Sequence, residues 1–193
     1  MAIGCSKKMA PQEAYAALRQ KKASSPFEAV PTIRLDLDKD YKFSLTDTDS
    51  VFLCDDSNQR YSYYKNFNIP LKSRTKYKLS ISSLCDCAGF KKYMFIPVLL
   101  VTSNIDKKEV SKHQPELDSF DYRFGPLSMN FTYIINSESY SNYKIIVFSA
   151  NQGLGEKVCS IPVIGLPNID VKATVIGKFH IKIEEIKWNN TKT

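Results

Sequence analysis

Cysteines are the residues of this sequence whose type and spacing could do chemistry. The 193 residues include five, an odd number. They are Cys5, Cys54, Cys85, Cys87 and Cys159. If Cys5 is set aside, the other four suffice for two disulfides. On a strand, Cys85 and Cys87 would point to the same face, so each could pair with a different cysteine, and Cys54 and Cys159 are the candidates.

Two other states of these four cysteines stay open at this point. They could be reduced, buried thiols, or they could be the ligands of a zinc site. Zinc is the poorer fit, because structural zinc sites usually space paired ligands two to four residues apart. We therefore predict two disulfides, and we expect neither of them to join Cys85 to Cys87, since that bond would be strained.

The surroundings of Cys5 indicate a lipid attachment site. Gly4-Cys5-Ser6 is similar to the end of a bacterial lipobox, in which the cysteine after a small residue is acylated, although Ala2 stands where Leu is usual. We predict that the natural precursor carries a signal peptide, absent from this chain, and that the mature protein is anchored through acylated Cys5. It would then lie on the periplasmic face of the bacterial outer membrane, where disulfides can form.

Basic residues concentrate at the start of the chain. The formal net charge is +7, and more than half of it comes from the first 22 residues. There Lys7, Lys8, Arg19, Lys21 and Lys22 oppose only Glu13. A basic leader of this kind favours an anionic membrane surface or a solvated arm, so we expect no nucleic-acid partner. No apolar run approaches the ~20 residues that a membrane-spanning helix needs.

No residue pattern indicates catalysis, a metal or a cofactor. The two histidines, His113 and His180, stand apart from any nucleophile or metal motif. In GKFHIKIEE, the alternation predicts that His180 faces solvent. The segment LDLDKD alternates three aspartates as a calcium loop does, but Tyr41 stands where such a loop needs glycine. We therefore predict that the protein is not an enzyme and holds no metal or cofactor.

An aromatic cluster lies in the segment RYSYYKNFNIP. Exposed tyrosines stack well on sugar rings or on protein partners, although aromatic residues are also good strand formers. If Phe67 faces inward on a continuous strand, Tyr61 and Tyr63 face inward too, and core packing suits them better than ligand binding. Tyr64 then lies on the opposite face. We therefore predict Tyr64 as the leading residue of a ligand or partner surface, with Tyr61 and Tyr63 as further candidates.

Short alternating segments dominate the sequence after its first 30 residues. TIRLDLDKD and KFHIKIEEIKW are examples, and nine or ten such segments are separated by Asp, Asn, Ser, Gly and Pro. This pattern predicts an all-β fold, an antiparallel β-sandwich of jelly-roll type. Pro11 and the helix formers after it predict a short helix at 11–22. We divide the chain into a lipid-anchored tether (1–10), a short helical arm (11–28) and the sandwich (29–193).

Several of these segments, read in order, resemble the maltose operon periplasmic protein family (MalM) and its lipoprotein relatives. The segments are AYAALRQKK, VFLCDDSNQRYSYYKNFNIP, YMFIPVLLVTSNID, YKIIVFSANQGLG and GKFHIKIEEI. The resemblance spans residues 11 to 186 and consists of strand patterns. It implies a non-enzymatic protein of the cell envelope, in some cases associated with maltodextrin uptake, and it transfers no functional residue.

Two functions of different classes follow. The first is a lipid-anchored accessory module that contacts an envelope protein, linked to carbohydrate uptake or to an outer-membrane assembly. The second is a carbohydrate-binding module that stacks a glycan on exposed tyrosines. A line of exposed aromatic rings would favour the glycan, whereas one flat apolar patch would favour a protein partner.

Overall fold

Fourteen strands and one short helix make up the part of the chain that the structure, a computed structural model, describes. The described residues are 10–24, 32–55, 60–86, 92–103, 111–113, 116–121, 127–137, 141–150, 154–163 and 166–187. In chain order the elements are α1 (Pro11–Arg19), β1 (Thr32–Arg34), β2 (Asp40–Leu45), β3 (Ser50–Asp55), β4 (Arg60–Leu71), β5 (Thr75–Leu84), β6 (Lys92–Met94), β7 (Pro97–Ser103), β8 (Ser111–His113), β9 (Glu116–Asp121), β10 (Ser128–Ser137), β11 (Ser141–Ser149), β12 (Lys157–Val163), β13 (Leu166–Ala173) and β14 (Gly177–Glu185).

The strands form two large sheets and one small one. The six-stranded sheet has the order β1-β4-β11-β7-β8, and β3 also pairs with β4. The five-stranded sheet has the order β2-β14-β5-β10-β9, and all of its pairings are antiparallel. The small sheet, β12-β13-β6, includes a parallel pairing of β13 with β6. The predicted antiparallel β-sandwich with a short helix before it is confirmed.

Aromatic rings join the two large sheets at the centre of the main core. The ring of Phe67 on β4 lies 4.9 Å from Phe43 on β2 and 6.3 Å from Phe179 on β14, measured between ring centroids. Phe179, Ile181 and Ile183 are fully buried, and the residues between them are not. This is the period-two burial that the sequence of β14 predicts.

The outer face of the six-stranded sheet is also apolar. A second buried cluster there is separate from the main core and consists of Phe52, Tyr64, Val98, Leu100, Ile146 and Phe148. Strands of this sheet therefore bury both faces, whereas β14 and β5 bury one face and leave the other polar. Where this cluster lies, the six-stranded sheet is therefore covered on both faces.

The helix α1 is packed on the sandwich. Its residues Ala14 and Leu18 belong to the main core, and the carboxylate of Glu13 accepts a hydrogen bond from the backbone N–H of Ala10 at 3.2 Å. The helix ends at Arg19, three residues earlier than predicted. Beyond it, the backbone N–H of Ser24 donates to the carbonyl oxygen of Val51 at 2.7 Å, which ties the segment after the helix to β3. Among the described residues, no helix is long and apolar enough to cross a membrane.

Some strand predictions were wrong in their boundaries. The segment TIRLDLDKD is not one half-buried strand, because β1 ends at Arg34 and a turn follows in which Asp38 has a φ of 61°. Ile33 is consequently 37% exposed rather than inward. No strand was predicted in the polar segment 103–126, but it contains β8 and β9, which extend the two large sheets. The strand β12 was not predicted, since its sequence KVCSIPV alternates poorly.

Buried polar groups also link the two large sheets. The hydroxyl of Tyr133 on β10 donates to the carbonyl oxygen of Pro97 on β7 at 3.1 Å. The hydroxyl of Ser83 on β5 donates to the carbonyl oxygen of Phe95 at 2.6 Å. Burial raises the pKa of Tyr133 far above its usual value, since the phenolate would lose its hydration.

We predict that Tyr133→Phe lowers the free energy of unfolding by about 1–3 kcal/mol, because the buried carbonyl of Pro97 loses its donor. The loss should be greatest at neutral pH. Above about pH 10 the unfolded wild type loses the phenolic proton of Tyr133, whereas the folded protein keeps it. The free energy of unfolding of the wild type therefore falls as the pH rises. That of the variant falls less, because the variant lacks this hydroxyl.

The measurement is urea unfolding as a function of pH. Tyr15→Phe is the matched control, because the hydroxyl of Tyr15 makes no hydrogen bond to the described residues. Equal stability of the wild type and Tyr133→Phe would contradict the prediction.

Candidate functional site

The tyrosines that were predicted to form a ligand surface are buried or half-buried. Tyr63 is 1% exposed and Tyr61 is half-buried, and both pack against the main core, as expected once Phe67 faces inward. The Lys21 ammonium lies 5.1 Å from the centroid of the Tyr63 ring, on the side of the helix. Neither tyrosine is available as an open stacking platform.

Tyr64, predicted to lead the ligand surface, is 2% exposed, so this prediction was wrong. Its ring meets Phe52 edge to face at 5.3 Å inside the second buried cluster. Its hydroxyl is 3.1 Å from the hydroxyl of Ser24. The alternation along β4 was interpreted correctly, but the opposite face of the strand is covered rather than open to solvent.

The cysteines differ from the prediction at Cys159. Cys85 follows β5, is 7% exposed and is disulfide-bonded. Its partner is not Cys159, which has a free thiol. The predicted pairing of Cys159 was therefore wrong: this residue lies on β12 of the small sheet, opposite Val171, with its thiol free. Cys5 and Cys87 lie outside the described residues, and for Cys54 only the backbone, in β3, is described.

The Cys159 thiol lies in a setting that disfavours its anion. It is half-buried, and burial, together with the nearby Asp170 carboxylate, raises the pKa of the Cys159 thiol. A nucleophilic or metal-binding cysteine needs the opposite shift, since the thiolate is the reactive form.

One histidine meets one of the alternating aspartates, but the other described residues of this set do not join them. The nearest carboxylate oxygen to Nδ1 of His180 belongs to Asp40, at 3.8 Å, and only the backbone of His113, in β8, is described. The carboxylate of Asp36 accepts hydrogen bonds from Lys39 at 2.8 Å and from the Tyr41 hydroxyl at 3.2 Å. The Lys39 ammonium lowers the pKa of Asp36. Within the described ranges, no group of three or more His, Cys, Asp or Glu side chains could hold a metal ion.

A cleft of about 410 Å³ lies at the edge of the sandwich beside β2. We call it the basic cleft. It is lined by Lys42, Phe43, Ser44, Lys65, Leu84, Lys178 and His180. The sequence did not point to it, because its lining comes from four strands that are far apart along the chain.

Strand register brings these residues together. On neighbouring strands, Lys42 is paired with His180 and Ser44 with Lys178, while Leu84 of β5 is also paired with Lys178. Residues two apart on a strand share a face, so the two lysines and the histidine lie on one face of the five-stranded sheet.

Lys65, on β4 of the six-stranded sheet, also lines the cleft, and its ammonium is bound to a carboxylate. Its ammonium lies 2.5 Å from a carboxylate oxygen of Asp49, and the two side chains are only 20% and 15% exposed. The other carboxylate oxygen of Asp49 accepts a hydrogen bond from the backbone N–H of Thr46 at 2.7 Å. The turn before β3 therefore fixes the position of Lys65.

The other two ammonium groups leave the cleft with excess positive charge. Lys42 and Lys178 are both exposed, and neither forms an ion pair with any residue in the described ranges. Asp49 offsets Lys65, and Asp40 lies beside His180 on the same sheet. With both carboxylates counted, the three lysines leave one excess positive charge at the cleft.

Comparison with known proteins does not assign this chain to a family. No model of a known protein family matches this chain, and no curated protein matches it. A solved structure of the pre-peptidase C-terminal domain of a collagenase from Bacillus anthracis aligns with 80% of this chain and 95% of that domain, at 10% identity and a TM-score of 0.37. CorA, a surface-associated copper-binding protein of Methylomicrobium album BG8, aligns over 82% and 99% of the two chains, at 7% identity and a TM-score of 0.42. At such values neither structure bears on a ligand or an activity.

We predict that Tyr64→Ala lowers the free energy of unfolding by about 3–5 kcal/mol, because it removes a large ring from a buried cluster. Tyr64→Phe should cost only about 1 kcal/mol, the usual net value of one hydrogen bond, here the one to Ser24. Chemical denaturation measures both. Tyr61→Ala, at a half-buried position, is the comparison and should cost less than Tyr64→Ala; a negligible cost for Tyr64→Ala would show that the ring is exposed after all.

For the cysteines, we predict that alkylation of the folded, unreduced protein modifies Cys159 and leaves Cys85 unmodified. The reaction at Cys159 should be slow at neutral pH and accelerate as the pH rises, because the raised pKa keeps the thiol protonated. Peptide mass mapping after a timed reaction measures both sites, and Cys159→Ser identifies the modified peptide. Modification of Cys85 before reduction would contradict the assignment.

Proposed function

We propose that this chain is a non-enzymatic lipoprotein of the bacterial cell envelope, anchored through Cys5 on the periplasmic face of the outer membrane. In this proposal the sandwich is an accessory binding module. The MalM resemblance suggests a link to maltodextrin uptake, and an outer-membrane assembly is the other setting that it suits.

The observation that carries the proposal is the disulfide of Cys85. Disulfides form and persist in oxidising compartments such as the periplasm and are rare in the cytosol. A disulfide within a β-sandwich therefore supports export, which a lipid anchor at Cys5 requires.

The packing of α1 also supports an anchored module. Pro11 is only six positions after Cys5, and it is the first residue of a helix whose apolar face is part of the main core. A fully extended chain of that length reaches about 20 Å. A lipid at Cys5 would therefore hold the sandwich directly beside the membrane, where an accessory protein can meet an envelope partner.

A binding role is favoured over catalysis by the chemistry of the described side chains. The raised pKa of Cys159 opposes its use as a nucleophile. His180 has Asp40 near it but no hydroxyl or thiol nucleophile at hydrogen-bond distance among the described residues. The glycan-binding alternative loses the tyrosine platform on which it rested, because Tyr63 and Tyr64 are buried.

We predict that the natural precursor incorporates a fatty-acid analogue in metabolic labelling and that Cys5→Ser abolishes the label. Acylation needs the thiol of Cys5 itself, so the loss should be complete. Cys159→Ser is the matched control, since it removes a free thiol elsewhere, and it should label like the wild type. An unlabelled wild-type precursor in the soluble fraction would overturn the proposal.

A further inference from the structure

We infer that two copies of this chain associate through β2, an edge strand of the five-stranded sheet, so that the sheet continues from one copy into the other. The inference goes beyond membrane anchoring and does not depend on it, because every residue that carries it belongs to the folded sandwich. Three observations support it: the open edge of β2, the opposite charges on its outer face, and a half-buried tyrosine between them.

The edge of β2 offers backbone groups for pairing. β2 pairs with β14 on one side, and no other described strand pairs with it. In the part of the chain that the structure describes, no backbone hydrogen bond joins β2 to anything but β14. Half of the N–H and C=O groups of such a strand point away from its sheet. An edge of this kind can pair with a strand of another chain.

Two opposite charges lie on the outer face of β2. Asp40 and Lys42 are two residues apart, so they share a face, and both are exposed. When a strand pairs in antiparallel fashion with its own copy, each contact occurs twice about a two-fold axis. With Tyr41 on that axis, Asp40 of each copy lies directly opposite Lys42 of the other. The pairing therefore creates two cross-strand pairs of opposite charge, which stabilise a sheet.

The charges also select this register over its neighbours. An axis at Asp40 would set two carboxylates opposite each other, and an axis at Lys42 would set two ammonium groups opposite each other. Like charges directly opposite destabilise a sheet. Within one copy, Asp40 has only Nδ1 of His180 at 3.8 Å as a salt-bridge partner among the described residues, and Lys42 has none there. Neither charge gives up a close ion pair to meet the other copy.

Tyr41 adds an apolar contact at the axis. Its side chain lies on the inner face, half-buried, and its ring is nearly parallel to that of Phe43, with 6.1 Å between the centroids. The hydroxyl is fixed, because it donates to the carboxylate of Asp36 at 3.2 Å and accepts from the backbone N–H of Asp36 at 3.1 Å. Across the axis the two Tyr41 rings meet. Rings that are already held in place lose little freedom on association.

The test is sedimentation equilibrium of the 193-residue chain over a concentration series that reaches the millimolar range. A pairing of six-residue strands buries less surface than a standard interface, so we expect a weak, reversible dimer. Lys42→Glu and Asp40→Lys should each weaken it at least about tenfold, because each variant sets like charges opposite each other twice. Combining Asp40→Lys with Lys42→Glu exchanges the two charges and should restore the wild-type dissociation constant.

The matched control is Lys178→Glu, the same charge change on the same face of the sheet, but on β14, which is paired on both sides. It should dimerise as the wild type does, and urea unfolding checks that every variant is folded. A wild type that stays monomeric throughout the series overturns the inference. Equal weakening by Lys42→Glu and Lys178→Glu, or no recovery in the charge exchange, overturns the assignment to β2. Each of these results leaves the proposed lipid anchoring intact, because fatty-acid labelling at Cys5 tests that separately.

Cysteine cross-linking checks the register. With position 41 on the axis, its two Cα atoms are about 5 Å apart, which a disulfide can span, whereas those of position 42 are about 8 Å apart. In a Cys159→Ser background, Tyr41→Cys should therefore form an intermolecular disulfide on oxidation, and Lys42→Cys should not. Peptide mass mapping identifies the cross-link. A cross-link at position 42, or none at position 41, contradicts the register.

Discussion

Burial of β4 on both faces is the constraint on which the rest of the structure depends. One face places Phe67 against the aromatic rings of the opposing sheet, and the other places Tyr64 in a separate apolar cluster. The same strand pairs with β11 on one side and with β1 and β3 on the other. A one-residue shift of β4 would move every side chain to the opposite face and disrupt the packing of both clusters, so β4 fixes where its neighbours lie.

The position of Lys65 follows from that constraint. A lysine in a strand whose two faces are covered must reach solvent at the edge of the sandwich or find a partner, because an unpaired buried ammonium is costly. Lys65 does both, since it is paired with Asp49 and also lines the basic cleft. The cleft is thus partly a consequence of how the core is closed at this edge, which is why its ion-paired lysine comes from the six-stranded sheet.

Local periodicity in the sequence predicts the faces of a strand well but says nothing about what covers them. For β14 the alternation gave the correct inward residues and left His180 half-exposed, because only one face of that strand is buried. For Tyr64 the same reasoning failed, because the second cluster collects residues from β3, β7 and β11 that no local pattern connects. The basic cleft could not be predicted from the sequence for the same reason. Its lining residues Lys42, Lys65 and Lys178 belong to strands that are far apart along the chain. The disulfide predicted for Cys159 rested on the number of cysteines in the sequence. That number says nothing about the distance between two of them in the fold.

The docking of α1 has a mechanical consequence for an anchored protein. A nine-residue helix is too short to be stable in water by itself, so it exists as a helix only while Ala14 and Leu18 are held in the core. If it undocks, it also unravels, and the free chain then runs from Cys5 to the bond between Ser24 and β3. The extended length of that chain is about 65 Å, compared with about 20 Å while the helix is docked. If the protein is anchored through Cys5, as proposed, the sandwich can therefore lie either about 20 Å or up to about 65 Å from the lipid surface, depending on whether the helix is docked.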